Sequence, residues 1–260
     1  MAKTFAFVFP GQGSQSVGML DAWGDHPAVR ETIAEASDAL NEDIGALIAG
    51  GPKEDLALTT NTQPVMLVAG VACWRAWRAE GGALPAAVAG HSLGEYSALV
   101  AAEALPLAEA VPLVRLRAQA MQEAVPVGTG AMAAILGLDA SKVIAGCAEV
   151  TGAMGQNGTE VVEAVNFNDP VQTVIAGTKA AVDKACEVLK GMGAKRALPL
   201  PVSAPFHSSL MKPAAERLKG ALEAVDFADP KIPVVNNIDV AIEDDHERIR
   251  DALYRQAFGP

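Results

Sequence analysis

The sharpest chemical signal in the chain is the pentapeptide Gly90-His91-Ser92-Leu93-Gly94. It fits G-x-S-x-G, with a short apolar run at 86–89 before it and a helical pattern after it. A tight strand-to-helix turn of this kind pushes the serine hydroxyl out of the sheet. The flanking glycines leave room for the turn. The Leu93 backbone N–H then lies at a helix N-terminus, where it can face a developing oxyanion. The chemistry such a turn supports is nucleophilic acyl transfer on Ser92. The plainer reading is a glycine-rich turn without chemistry, because five-residue patterns recur by chance.

A serine nucleophile needs a base. Of the four histidines, His26 precedes Pro27 in a loop and His246 lies in a charged run from Glu243 to Arg248. His91 neighbours Ser92, and consecutive residues in such a turn point in different directions. By elimination the base is His207, in Ser203-Ala204-Pro205-Phe206-His207-Ser208, with capping or packing as its bland alternative. No carboxylate completes a Ser/His/Asp set. Asp139, Asp169 and Asp183 fall where turns and exposed helix faces explain them. Pro10-Gly11-Gln12-Gly13-Ser14-Gln15 lacks the third glycine of G-x-G-x-x-G, which would fall at Ser16, and no lysine completes a P-loop. The alternative is a close-approach loop whose N–H groups supply half of an oxyanion hole. Arg115 and Arg117 share one apolar helix and face nearly opposite ways. One of them can turn towards a substrate carboxylate; the pattern does not choose between them, and two snorkelling surface arginines would look the same.

These residues need a frame. Residues 4–9 read as a short buried strand ended by Pro10-Gly11, and 27–40, 63–79, 93–103 and 107–124 read as helices. With the run at 86–89 this is an α/β pattern, which predicts a mainly parallel sheet covered on both faces. Near Gly128 the pattern changes to strand 131–136, helix 141–150, strands 161–167 and 171–176, helix 178–192 and strand 196–200. That βαββαβ order is a ferredoxin-like unit. The expected division is a discontinuous α/β core, 1–127 and 202–260, with a subdomain inserted at 128–201. Helix 209–225, strand 233–236 and helix 246–257 complete the core.

Half of the 260 residues are apolar and a fifth are charged, which excludes intrinsic disorder. The 31 acidic and 20 basic residues give a net charge of −11, which argues against nucleic acid as a partner. Cys73, Cys147 and Cys186 form neither a disulfide framework nor a zinc site, and Cys73 reads as a small core residue. The longest apolar run, 64–73, is too short to span a bilayer, and the N-terminus shows no signal-peptide pattern. No metal and no membrane partner are expected, and a reducing, cytoplasmic setting is.

With these motifs in this order, the chain resembles the malonyl-CoA:acyl carrier protein transacylases of bacterial fatty-acid synthesis. Further similar stretches are Gln63-Pro64, Gly128-Thr129-Gly130-Ala131-Met132, Asn166-Phe167-Asn168 and Val235-Asn236-Asn237. The resemblance implies a hydrolase-like α/β core with a ferredoxin-like insertion. It implies Ser92 as nucleophile, His207 as base, and the N–H groups of Gln12 and Leu93 as the oxyanion hole. Arg117 would hold the malonyl carboxylate, the Gln256 carbonyl would orient His207, and the aromatic Phe206 would go with malonyl selection. CoA would be substrate rather than cofactor, acyl carrier protein the partner, and a monomer the working state. Family members continue for several dozen residues past the position of Pro260, so a loosely held last turn and an uncovered face or sheet edge are expected here. Two other readings are a Ser/His thioesterase or esterase on the same turn, and a weakly active carrier-protein docking module.

Overall fold

The computed structural model describes residues 4–155, 158–202 and 204–260. Ser203, the first residue of the run read around His207, lies outside the described residues, as do the first three of the chain. In chain order the elements are β1 (Ala6–Phe9), α1 (Pro27–Leu40), α2 (Ile44–Gly50), α3 (Lys53–Ala57), α4 (Thr59–Ala79), β2 (Ala87–Gly90), α5 (Gly94–Ala101) and α6 (Leu107–Glu123). Then come β3 (Gly130–Leu136), α7 (Ala140–Met154), β4 (Val162–Asp169), β5 (Gln172–Thr178), α8 (Lys179–Gly191) and β6 (Arg196–Pro199). The last are α9 (Lys212–Ala224), β7 (Val234–Val235), β8 (Ile242–Glu243) and α10 (His246–Gln256). The chain divides into two compact units, Met1–Gln119 with Leu218–Leu253, and Ala120–Arg217 with Tyr254–Pro260.

The first unit holds a sheet of order β1-β2-β7-β8, with β1, β2 and β7 parallel and β8 antiparallel to β7. Parallel neighbours need long crossovers, and the helices between the strands supply them. Alternation places Phe7, Val88 and Val234 on one face, where α5 packs on β1 and β2 and Phe7 meets Trp74 of α4 edge-on at 5.3 Å. The register Val8–Ala89–Val235–Ile242 runs across the other face. There Val8 is 66% and Ile242 57% exposed, so the sheet is covered on one face rather than both. The strand pattern alone does not show this, because every residue of Ala6–Phe9 is apolar and a one-sided strand then reads like a two-sided one; only the resemblance points to an uncovered face.

Helices α2 and α3 and the first turn of α4 escape a reading by periodicity. In α2, two glycines and a nearby proline weaken the signal, yet Asp43 accepts the Ala46 N–H at 2.8 Å and Ile44 and Ile48 are buried. Helix α4 starts four residues before Gln63, through Thr59, Thr60, Asn61 and Thr62. Those residues favour turns and caps locally, but the Thr62 hydroxyl donates to the Leu56 carbonyl at 2.6 Å and its side chain is buried.

The second unit contains the βαββαβ run. Its antiparallel sheet has the order β4-β5-β3-β6, with α7 and α8 closing a core of Ile135, Val143, Val150, Ile175 and Leu189. This is the ferredoxin-like arrangement, and the fold is α/β with a hydrolase-like core bearing it. The unit also takes in the last turn of α6, the segment 204–211 and the end of the chain. The three aspartates considered above are structural. Asp139 accepts the Ser141 N–H at 2.9 Å as the α7 cap, Asp169 accepts the Val171 N–H at 2.9 Å, and Asp183 pairs with Lys179 at 2.8 Å. Cys147 is in the core, where burial pushes its thiol up to about 12, whereas Cys73 is only half-buried.

Candidate active site

Ser92 lies between the end of β2 and the start of α5 with a left-handed φ of +52°. A Cβ on Gly90 would come within 1.9 Å of the Gly94 backbone, and one on Gly94 within 2.3 Å of the Phe9 carbonyl oxygen. Only glycine fits at either place, so the two glycines are what let the serine stand on so tight a turn. The His91 N–H donates to the Phe9 carbonyl at 3.0 Å, tying the turn to β1. The loop after β1 comes equally close: a Cβ on Gly11 would stand 2.6 Å from the His91 carbonyl oxygen. Gln12 follows, half-buried, with its side-chain amide donating to the Thr59 hydroxyl at 3.2 Å. Leu93 is the residue that precedes α5 and is 1% exposed.

Arg117 reaches this turn from α6. Its Nη2 donates to Ser92 Oγ at 3.1 Å and its Nη1 to Gln63 Oε1 at 2.7 Å. Its Cζ lies 5.6 Å from the Tyr96 ring centre, a cation–π contact. The guanidinium is buried, which lowers its pKa, and burial pushes Tyr96 up to about 12. A buried fork of N–H donors beside a serine hydroxyl is a seat for a planar anion such as a carboxylate. Arg115 turns away, donating to Asn61 at 2.9 Å and pairing with Glu42. Gln63 was not legible as a site residue; its signal is an amide at the head of an apolar, buried stretch of α4.

In the second unit, His207 has a φ of +63°, and its Nδ1 lies 2.8 Å from the Gln256 carbonyl oxygen. A carbonyl only accepts, so Nδ1 carries a proton, and in the neutral ring Nε2 then has the lone pair of a general base. The loop is held on the other side by the Ser208 hydroxyl donating to Pro205 O at 2.6 Å and the Ser209 N–H donating to Glu163 Oε2 at 2.6 Å. Phe206 packs in a core cluster with Met121, Met132 and Val165. Gln256 and Ala257 are buried, so the last turn is packed and not loosely held. A cavity of about 400 Å³ on this unit is lined by Cys147, Glu163, Phe167, His207 and Phe258 among others.

Two of the other histidines have surface partners, His26 with Glu80 at 3.2 Å and His246 with Asp229 at 3.4 Å. Lys190, Lys195 and Arg196 are exposed near the end of α8 and the start of β6. Among the described residues no group of three or more His, Cys, Asp or Glu is arranged to hold a metal, and no helix is long and apolar enough to cross a membrane.

A family model described as an acyl transferase domain matches residues 6–257. The malonyl CoA-acyl carrier protein transacylase of Salmonella typhimurium is 56% identical over 257 residues, 98% of this chain and 81% of that protein. That of Bacillus subtilis is 46% identical over 256 residues, 98% of this chain and 79% of that protein. Among solved structures, an acyl-carrier-protein S-malonyltransferase from Burkholderia pseudomallei is 66% identical with a TM-score of 0.95, covering 99% of this chain and 82% of its own. A malonyl-transacylase in complex with a type II PKS acyl-carrier protein is 53% identical with a TM-score of 0.94, covering 99% of this chain and 82% of its own.

Proposed function

The chain belongs to the malonyl CoA-acyl carrier protein transacylase family, and from that premise we propose how its own residues divide the work. It is an acyltransferase that moves a malonyl group from malonyl-CoA to acyl carrier protein, with CoA as substrate. Ser92 Oγ attacks the thioester carbonyl and gives its proton to His207 Nε2. The C–S bond breaks and the proton passes to the departing CoA sulfur, leaving a malonyl ester on Ser92. In the second half-reaction His207 takes the proton of the carrier's phosphopantetheine thiol, the sulfur attacks the ester carbonyl, and the proton returns to Ser92 Oγ. The N–H groups of Gln12 and Leu93 hold the oxyanion in both halves, and the Gln256 carbonyl keeps His207 in the required tautomer. Arg117 holds the malonyl carboxylate. The observation that carries the reading is the contact of the buried Arg117 with Ser92 Oγ, which couples anion recognition to the nucleophile. Intact mass after exposure to malonyl-CoA tests it: one malonyl group on Ser92 is expected, and an adduct on a cysteine overturns it.

Phe206 is proposed to favour malonyl over methylmalonyl groups, because it directly precedes His207. Its ring is packed, so removing it altogether costs stability, about 3–5 kcal/mol for a core phenylalanine. Phe206→Leu is the gentler variant, and it should raise loading from methylmalonyl-CoA relative to malonyl-CoA in direct competition. An unchanged ratio assigns Phe206 to packing alone.

The carrier protein is proposed to dock on Lys190, Lys195 and Arg196. The chain is acidic overall, at −11, so attraction of an acidic carrier must come from a local basic patch. Charge reversal at Lys195 and Arg196 should weaken use of the carrier as acceptor about tenfold, most strongly at low salt, while Ser92 acylation proceeds as before. Equal acceptor use by the variant and the parent places the docking face elsewhere. We also propose that the enzyme works as a monomer in the cytoplasm, which the three free thiols support; sedimentation measures the first point.

A further inference from the structure

The left-handed φ of Ser92 is a conformation that an unbraced serine leaves. For a non-glycine residue it costs roughly 1–2 kcal/mol, so something must hold it. The turn also removes two backbone groups from regular pairing, the Gly90 carbonyl at the end of β2 and the Ser92 N–H. One side chain meets both. Asn237 Oδ1 accepts the Ser92 N–H at 2.5 Å, and Asn237 Nδ2 donates to the Gly90 carbonyl at 2.6 Å. The two backbone partners fix which way the amide points, since an N–H must face oxygen and a C=O must face nitrogen. A primary amide supplies both an acceptor and a donor at this spacing, which an ionised carboxylate does not.

Asn237 is itself held. Its backbone N–H donates to Glu95 Oε2 at 3.0 Å, and Glu95 is 2% exposed in the first turn of α5. The segment that carries Asn237 leaves β7 in a closed turn, with the Asn236 N–H on the Ala241 carbonyl at 2.9 Å and the Asp239 N–H on Asn236 Oδ1 at 2.9 Å. A carboxylate on the helix that follows Ser92 thus fixes an amide from the end of the neighbouring strand β7, and the amide clamps the turn across His91.

We propose that Asn237 is a positioning residue for the nucleophile, with Glu95 as its anchor. The inference rests on Ser92 being the acylated residue. It has a second consequence: the Ser92 N–H is engaged by Asn237, so it is spent on the turn and the oxyanion donors must come from other residues.

The experiment compares Asn237→Ala, Asn237→Asp, Glu95→Ala and Glu95→Gln with the parent chain. Single-turnover acylation by malonyl-CoA gives rate and affinity separately, and a fluorophosphonate, which has no carboxylate for Arg117, reports the intrinsic reactivity of Ser92. Asn237→Ala should slow acylation on the order of 10²-fold with malonyl-CoA affinity within about threefold, and should slow fluorophosphonate labelling in parallel. Asn237→Asp is isosteric and still accepts from Ser92, but sets a carboxylate oxygen against the Gly90 carbonyl, so it should also be slow; it decides the matter if the alanine variant does not fold. Glu95→Gln keeps an acceptor for the Asn237 N–H and should recover most of the rate that Glu95→Ala loses. A lower melting temperature with unchanged acylation in either Asn237 variant, or a loss confined to affinity, overturns the proposal. A parent chain that acylates elsewhere than Ser92 overturns the assignment of the nucleophile instead, so the two failures are distinct.

Discussion

Replacing Ser92 by alanine will leave the protein folded and remove its capacity to retain a malonyl group, with turnover falling by roughly 10⁴-fold or more. The effect is large because, on the proposed route, Ser92 Oγ carries the acyl group between the two half-reactions. Burial raises the Cys73, Cys147 and Cys186 thiols above their ordinary range, so few thiolates are present to intercept the thioester. Fold integrity should be spared, because Ser92 is only half-buried and its backbone, not its hydroxyl, makes the contact with Asn237. Mass spectrometry of the parent and Ser92→Ala after brief exposure to malonyl-CoA makes the comparison. An adduct that survives the substitution would falsify the assignment.

The second large effect is expected at Arg117. In the free protein its two terminal nitrogens donate to Gln63 and Ser92, and its guanidinium lies against the Tyr96 ring. A malonyl carboxylate can take over the donor held by Ser92 and restore a charge-assisted pair. An acetyl group offers no anion and leaves a buried cation short of partners, which is costly. Truncating one member of a buried charged pair costs about 2–5 kcal/mol, so Arg117→Ala should cut malonyl loading by about 10²-fold or more. Acetyl loading should change far less, so the preference for malonyl narrows sharply. Arg117→Lys should recover only part of the loss, since a point charge cannot reproduce the planar fork. If both acyl groups load more slowly in the same proportion, Arg117 holds the site together without reading the carboxylate.

The tight turn that carries Ser92 was legible in the sequence because its requirements are local: two glycines, a strand before and a helix after. The single carbonyl that orients His207 is invisible as a side-chain pattern, since any residue has one, and only resemblance pointed to Gln256. The choice between Arg115 and Arg117 was closed to periodicity. Both sit on one apolar helix, and what separates them is Glu42 and Asn61 on one side and Gln63 and Ser92 on the other. Asn237 could not be found locally either, because the residue it serves lies 145 positions away. The ferredoxin-like run was legible for the opposite reason: each strand and helix follows its neighbour, so contiguous apolar periodicity carries the whole unit. The open face of the first sheet was illegible in the strand pattern, because Ala6–Phe9 offers no polar residue to mark a solvent side, and only the resemblance pointed to an uncovered face.

Transfer, as opposed to hydrolysis, is the central claim, and one measurement reaches it directly. The protein is loaded with labelled malonyl-CoA, freed of CoA, and divided between buffer and carrier protein bearing its phosphopantetheine thiol. The account predicts that the malonyl ester persists in buffer. It predicts that the label moves to the carrier's thiol within seconds of mixing while the enzyme returns to its unmodified mass. Label that appears as free malonate at the same rate with and without the carrier would contradict it, and would make the protein a thioesterase on the same turn.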